Sequence, residues 1–212
     1  MASQCLSLGL AETSLGALTS EFGLENVTTC EVFDFSTNAW RYVVPASPYR
    51  INDASFPVHL DGSLYWLTLC EETKVLSFDL HTETFQVICK APFPRSSERF
   101  RSDNYIMCIL NSRLCVSENK GPTQVIWSLD SSGGNKTWKK LSSIDYAKTL
   151  SGVEPFLPLA PIEILDENKL LLQDDGLVMH DLHTKSYDLL FEPEPIEYPV
   201  SYFQSLISVS SN

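Results

Sequence analysis

Val75-Leu76-Ser77-Phe78-Asp79-Leu80-His81-Thr82-Glu83-Thr84-Phe85 aligns without a gap against Leu177-Val178-Met179-His180-Asp181-Leu182-His183-Thr184-Lys185-Ser186-Tyr187. Both segments contain Asp-Leu-His-Thr, followed three residues later by an aromatic. An earlier copy runs Val32-Phe33-Asp34-Phe35-Ser36-Thr37-Asn38-Ala39-Trp40, and a looser one runs from Val125-Ile126-Trp127-Ser128-Leu129-Asp130 to Trp138. The aspartates Asp34, Asp79, Asp130 and Asp181 are spaced by 45, 51 and 51 residues. The aromatics Trp40, Phe85, Trp138 and Tyr187 are spaced by 45, 53 and 49. Asp and Thr side chains fold onto turn backbone, while β-branched and aromatic flanks favour extended chain.

A second element precedes three of the copies, a turn pair followed by an apolar strand: Asp61-Gly62 before Leu64-Tyr65-Trp66-Leu67, Asn111-Ser112 before Leu114-Cys115-Val116, and Glu167-Asn168 before Leu170-Leu171-Leu172. Asp174-Asp175-Gly176 supplies a tight turn in the last unit. Each unit therefore reads as turn, strand, short hairpin connection, strand, a turn around Asp-x-x-Thr and a strand that begins at the aromatic. The expected fold is all-β, a partial or small β-propeller-like array of antiparallel blades with about 45–50 residues per repeat. An antiparallel sandwich with similar hairpins is the alternative.

Within Leu64-Tyr65-Trp66-Leu67, alternation sets Tyr65 and Leu67 on one face and Leu64 and Trp66 on the other, so both faces are apolar, as stacked blades require. Trp40 and its equivalents are expected to pack between blades as well. The spacing leaves room for three to four units. Residues 1–29 are read as a divergent N-terminal segment and 30–209 as the propeller-like domain. An incomplete ring would leave apolar surface uncovered, here expected around Val32, Phe33 and Phe35, with marginal solubility or self-association as the result. The segment 201–209 has the alternation of a closing strand.

The 212 residues are 43% hydrophobic, which excludes disorder throughout, and the net charge of −12 argues against nucleic acid as a partner. No apolar run reaches the roughly 18 residues that cross a bilayer, and residues 1–20 lack the Lys or Arg of a signal peptide, so no membrane association is expected. The six cysteines are scattered and read as buried small hydrophobes in a reducing intracellular compartment, cytoplasmic or nuclear. Lys136, Lys139 and Lys140 around Trp138 read as a solvated hairpin end.

No catalytic, cofactor or metal residues are assigned. There is no Gly-x-Ser-x-Gly elbow and no Gly-x-x-x-x-Gly-Lys loop. His81 and His183 share one position of the repeated turn, which gives them a structural role. His180 and His183 are spaced as two potential metal ligands, yet a strand entering a turn does not oblige their rings to converge, and zinc needs three or four ligands. Adjacent acids such as Glu71-Glu72 lie at turns. Binding residues belong in connections that differ between units. The connection 95–105 holds three arginines and two aromatics in an otherwise acidic chain, so Arg95, Arg99, Phe100, Arg101 and Tyr105 form the candidate protein-binding loop.

Cys30-Glu31-Val32-Phe33 through Trp40-Arg41, then Phe56-Pro57-Val58-His59-Leu60-Asp61-Gly62-Ser63-Leu64-Tyr65-Trp66-Leu67, then Val75-Leu76-Ser77-Phe78-Asp79-Leu80 with Glu83 and Phe85, together resemble the F-box-associated interaction domain of plant F-box proteins. The similarity continues more loosely to Tyr202 and Ser205-Leu206. It implies a non-catalytic domain that holds the protein substrate of an SCF ubiquitin ligase, with an F-box docking on a Skp1-type adaptor. Residues 1–30 contain no helical F-box with an early Leu-Pro, and the usual Gly-x-Gly-Tyr and Tyr-Lys-Val-Val elements are missing. A small glycan-binding or hydrolytic β-propeller is the other reading, and it would require carboxylates converging in a central cleft. The 212-residue chain is therefore expected not to form a complex of micromolar or better affinity with a purified Skp1-type adaptor. A saturable pull-down would contradict this.

Overall fold

The computed structural model describes residues 4–7, 30–34, 36–44, 47–51, 57–70, 72–93, 104–131, 135–149, 158–166, 168–173 and 176–191. Four antiparallel sheets follow one another along the chain. The first holds β1 (Gln4–Ser7), β2 (Glu31–Asp34) and β3 (Ala39–Tyr42); the second β4 (Val58–Leu60), β5 (Ser63–Leu67), β6 (Lys74–Asp79) and β7 (Thr84–Lys90). The third holds β8 (Tyr105–Leu110), β9 (Arg113–Asn119), β10 (Thr123–Asp130) and β11 (Thr137–Asp145), trailed by the short helix α1 (Tyr146–Thr149). The fourth holds β12 (Ala160–Leu165), β13 (Lys169–Gln173), β14 (Leu177–Asp181) and β15 (Tyr187–Phe191). In every sheet each strand pairs with its neighbours in sequence, the meander of a propeller blade. The segment 201–209, Phe35 and Asp174-Asp175 lie outside the described residues.

The repeat of the sequence is a repeat of geometry. Asp79 Oδ1 accepts the N–H groups of His81 and Thr82 at 2.8 and 2.7 Å, and Asp181 Oδ1 accepts those of His183 and Thr184 at the same two distances. Glu83 and Lys185 then take positive φ, 54° and 63°, and donate their N–H groups back to the Asp79 and Asp181 carbonyls at 2.8 and 2.9 Å. Thr82 and Thr84 pair hydroxyls at 2.8 Å, as Thr184 and Ser186 do at 2.9 Å. Those N–H bonds, from Thr82 and His81 in one turn and Thr184 and His183 in the other, hold both carboxyls below the usual range. Asp34 is lowered too, chiefly by the Ser36 hydroxyl. The first-to-second-strand turns are equally regular: Asp61-Gly62 and Asn111-Ser112 place both central residues at positive φ, the conformation that matches strand twist in two-residue hairpins.

Across the last two strands of each sheet, one pair recurs directly opposite: Phe33 and Trp40, Phe78 and Phe85, Leu129 and Trp138, His180 and Tyr187. Ring centroids are 5.2, 4.8 and 4.4 Å apart in the first, second and fourth blades. A register irregularity also falls at one equivalent place in the last three blades, between Val75 and Leu76, Ile126 and Trp127, and Leu177 and Val178. Such a bulge sharpens local twist.

The faces of β5 separate as alternation predicts. Leu64 and Trp66 join Cys30, Val32, Leu76 and Phe78 between the first two blades, while Tyr65 and Leu67 join Val75, Met107, Leu114 and Val116 between the second and third. A third cluster, including Cys108, Ile126, Ile144, Leu170 and Leu172, fills the junction of the last two. Inside it lies a satisfied polar knot. Gln124 Nε2 donates to Ser117 Oγ at 2.5 Å and to the Leu159 carbonyl at 2.6 Å, while its Oε1 accepts from Tyr146 Oη at 2.7 Å and from the Leu159 N–H at 2.9 Å. The two ends of the connection between the third and fourth blades are thereby fastened to β10.

Two expectations need correction. Val32 is 1% exposed and sits in the first junction because β1 and β3 flank β2 on both edges and its face meets Trp66. The uncovered apolar surface of this blade lies instead around its outer strand, with Trp40 49%, Tyr42 66% and Val44 86% exposed. Trp40 therefore covers Phe33 from the solvent side and does not pack between blades.

His180 occupies the position that Phe33, Phe78 and Leu129 hold elsewhere, fully buried against Tyr187. Neither ring nitrogen has a hydrogen-bond partner among the described residues. Burial, aided by Lys185, holds its pKa below 6.5. A base lowered in the folded state binds fewer protons there than when unfolded, so stability is full above about pH 6.5 and declines as pH falls below it, by at most about 1.4 kcal/mol per pH unit. Urea midpoints measured between pH 7.5 and 5.5, above the range in which the lowered carboxylates contribute, should show this slope. His180→Phe should remove it and raise the midpoint at every pH in the range.

Candidate functional site

Meander topology gives each blade two unlike ends. One carries the tight turns between first and second and between third and fourth strands, whose aspartates and positive-φ residues are committed to backbone geometry. The other carries the second-to-third-strand turns and the connections between blades, 43–57, 91–104 and 146–159, which share no pattern. Side chains free to vary belong to this second end.

The candidate loop springs from it. Arg95, Arg99, Phe100 and Arg101 lie outside the described residues. Tyr105 opens β8, half-buried, and stacks on Phe93 with centroids 4.1 Å apart and planes 17° from parallel. This clamp joins the two feet of the connection. Opposite Tyr105 across the strand pair is Glu118, 7% exposed, which accepts from Trp127 Nε1 at 3.3 Å and pairs with Lys120 at 3.1 Å. The Lys120 ammonium stands 6.0 Å from the Trp127 ring centroid. Burial pushes the Tyr105 hydroxyl up and the Glu118 charge adds to it, so the phenol stays neutral. Tyr105 is thus an anchor for the loop, a role that its sequence position alone does not reveal.

Beside it, at the same end of the second blade, Glu72 takes Lys90 at 2.5 Å and Lys74 at 3.9 Å. Lys90 foremost lowers its carboxyl. Lys74 also covers the Tyr49 ring, 4.6 Å from its centroid. The result is a polar, mostly paired surface around the loop's origin.

Four of the thiols are held in their neutral form by burial. Burial raises the Cys30 thiol to about 11 and Cys108 well above its ordinary value, and Cys89 and Cys115 rise for the same reason. His180 is in the core while His183 stands in an exposed turn, so the spaced pair does not share a site. Among the described residues no group of three or more His, Cys, Asp or Glu side chains gathers in metal-binding range.

One cavity was not anticipated from the sequence. At the tight-turn end, between the second and third blades, a groove of about 400 Å³ has an apolar floor that includes Tyr65, Ile88 and Leu129 and a charged rim that includes Arg113, Lys136 and Asp130. Its legible signal is Asp130-Ser131, where the second and fourth units read Asp-Leu.

A model of the F-box associated beta propeller domain family matches residues 15–209. An F-box/LRR-repeat/kelch-repeat protein of Arabidopsis thaliana is 54% identical over 201 residues, covering 90% of this chain and 51% of that protein. An F-box protein of the same plant is 53% identical over 196 residues, covering 88% and 49%. The chain spans about half the length of these relatives. Among solved structures, an oligogalacturonate lyase in complex with manganese matches with a TM-score of 0.45 and 8% identity, over 88% of this chain and 49% of that one.

The Phe93–Tyr105 clamp predicts a graded loss of stability. Tyr105→Ala should cost about 2 kcal/mol, because a stacked half-buried ring is lost, whereas Tyr105→Phe, which keeps the ring, should cost less. Denaturant titration compares the two directly.

Proposed function

This chain belongs to the F-box associated β-propeller domain family, and from that membership we propose that it is the protein-binding part of a substrate receptor for an SCF-type ubiquitin ligase, a docking scaffold and not a catalyst. The observation that carries the reading is the family match over residues 15–209, joined to relatives that are F-box proteins. The physical organisation supports it. Repeated positions are spent on turns and blade junctions, and the raised thiols and buried His180 supply no activated nucleophile or base.

The occupant is a protein substrate, held at the end from which the 91–104 connection leaves, with Arg95, Arg99, Phe100 and Arg101 as contact residues and Tyr105 fixing the loop's foot. Arginines and aromatics suit such a role because they combine a broad contact surface with directional donors. A Skp1-type adaptor would be engaged only through an F-box. The working compartment is the cytoplasm or nucleus; among the described residues no helix is long and apolar enough to cross a membrane.

Cross-linked affinity capture from plant cells tests this, comparing the wild-type chain with the variant Arg95→Glu/Arg99→Glu/Arg101→Glu. A saturable protein partner is expected for wild type, with about tenfold weaker capture by the charge-reversed loop. Absence of any partner above a denatured-chain control would overturn the reading, as would turnover of an oligosaccharide.

A further inference from the structure

The third blade breaks the repeat at one position. After the turn aspartate the second and fourth units carry Leu80 and Leu182, and each closes the core between its own blade and the preceding one. Leu80 packs on the cluster that contains Val32 and Trp66; Leu182 packs on the one that contains Cys108 and Leu172. The neighbouring positions keep the same assignment, since Leu64 and Phe85 serve the first junction, Leu114 and Trp138 the second, and Leu170 and Tyr187 the third. At the second junction the closing residue is Ser131, and there the core opens into the groove of about 400 Å³ that Ser131 helps to line.

The groove is an inter-blade core without its plug. Leu60, Tyr65, Ile88, Leu114 and Leu129, all members of the second junction's cluster, are left facing the space. Two exposed cations stand on the third-blade side, Arg113 from the β8–β9 turn and Lys136 from the β10–β11 hairpin, and neither has an ion-pair partner among the described residues. Asp130 is committed to Lys139. Asp61 lies across the groove in the β4–β5 turn. In a chain of net charge −12, the groove's two carboxylates, Asp61 and Asp130, are balanced by Arg113 and Lys136, and with Asp130 held by Lys139 the third-blade side of the groove is left cationic.

We propose that this groove binds a peptide segment of a partner protein that presents a leucine-sized aliphatic side chain next to an acidic residue, the side chain taking the place of the missing leucine and the carboxylate meeting Arg113 and Lys136. The volume falls in the range of ordinary ligand pockets, and the pairing of an apolar anchor with a charge-assisted hydrogen bond gives both affinity and orientation. The inference rests on the reading that the domain binds proteins, and it adds a second contact site at the opposite end of the blades from the arginine-rich connection.

The test uses the full 212-residue chain, isotopically labelled for NMR, titrated with the peptide acetyl-Ser-Glu-Leu-Glu-Gly-Ser-amide. Resonances of Ser112, Ser131 and Ile88 are expected to shift. Peptides with Ala for Leu or Lys for both Glu should bind about tenfold more weakly. Ser131→Leu, which refills the slot, should abolish the shifts while keeping or raising the thermal midpoint. Arg113→Glu/Lys136→Glu, confined to the rim, should weaken binding about tenfold without changing the fold. Shifts centred elsewhere, or unaltered binding by a folded Ser131→Leu chain or by the rim variant, would overturn the proposal. If wild type captures a cellular protein and both variants capture it equally, the groove inference fails and the protein-binding reading stands. If wild type captures nothing, that reading fails, and the peptide titration still decides the groove.

Discussion

Every sheet between two others must be apolar on both faces, and the rest of this structure is arranged to meet that demand. A strand such as β5 cannot follow the usual inside–outside alternation, because Leu64 and Trp66 face one neighbour while Tyr65 and Leu67 face the other. Full burial of one such side chain is worth about 1.5–3 kcal/mol, so a junction of seven or more buried residues dominates any single polar contact. The outer rims are then tied by contacts that recur in kind. Trp138 Nε1 donates to the Lys90 carbonyl at 2.7 Å, the Asp145 N–H donates to Tyr187 Oη at 3.3 Å, and Arg41 pairs with Glu83 at 2.5 Å. The last two blades thus use the repeated fourth-strand aromatic to reach the backbone of the blade before.

Gln124 shows how a polar group survives in such a core. All four of its contacts are internal and within 2.9 Å, and three of them end on Tyr146 and Leu159, at the two ends of the connection between blades. Replacing it would strand several buried donors and acceptors at about 1–3 kcal/mol each. Apolar packing alone would let that connection slide; hydrogen bonds of fixed direction set where it crosses.

The features legible in the sequence are those that local chemistry dictates. Asp79 and Asp181 could be read as equivalent because a carboxylate two and three residues before free N–H groups makes the same turn wherever it occurs. The pairing of Gln4–Ser7 with β2 was not legible, since a four-residue strand far from its partner carries no turn signal. His180 resisted for a different reason: its identity suggests a ligand or base, and only the position opposite Tyr187 shows that it fills an apolar layer. The groove was present in the letters as Ser131, but a gap in a repeat acquires meaning only when Leu80 and Leu182 are seen to close the same place. For the candidate loop, composition named the residues and the fold supplied Tyr105's tie to Phe93.

The meander itself bears on how the chain reaches this state. Strand neighbours in space are strand neighbours in sequence in all four sheets, and each junction joins consecutive blades. Within the last three sheets the hairpin connections are short, so the entropy of closing long loops falls mainly on the β1–β2 pairing and on the connections between blades. During synthesis a blade can pair its own strands as soon as its last hairpin leaves the ribosome, then wait for the next to cover its second face. The second blade's exposed interval lasts until β8 and β9 emerge, so the cost of an array of sheets built in sequence is a succession of brief, half-covered intermediates in place of one slow global search.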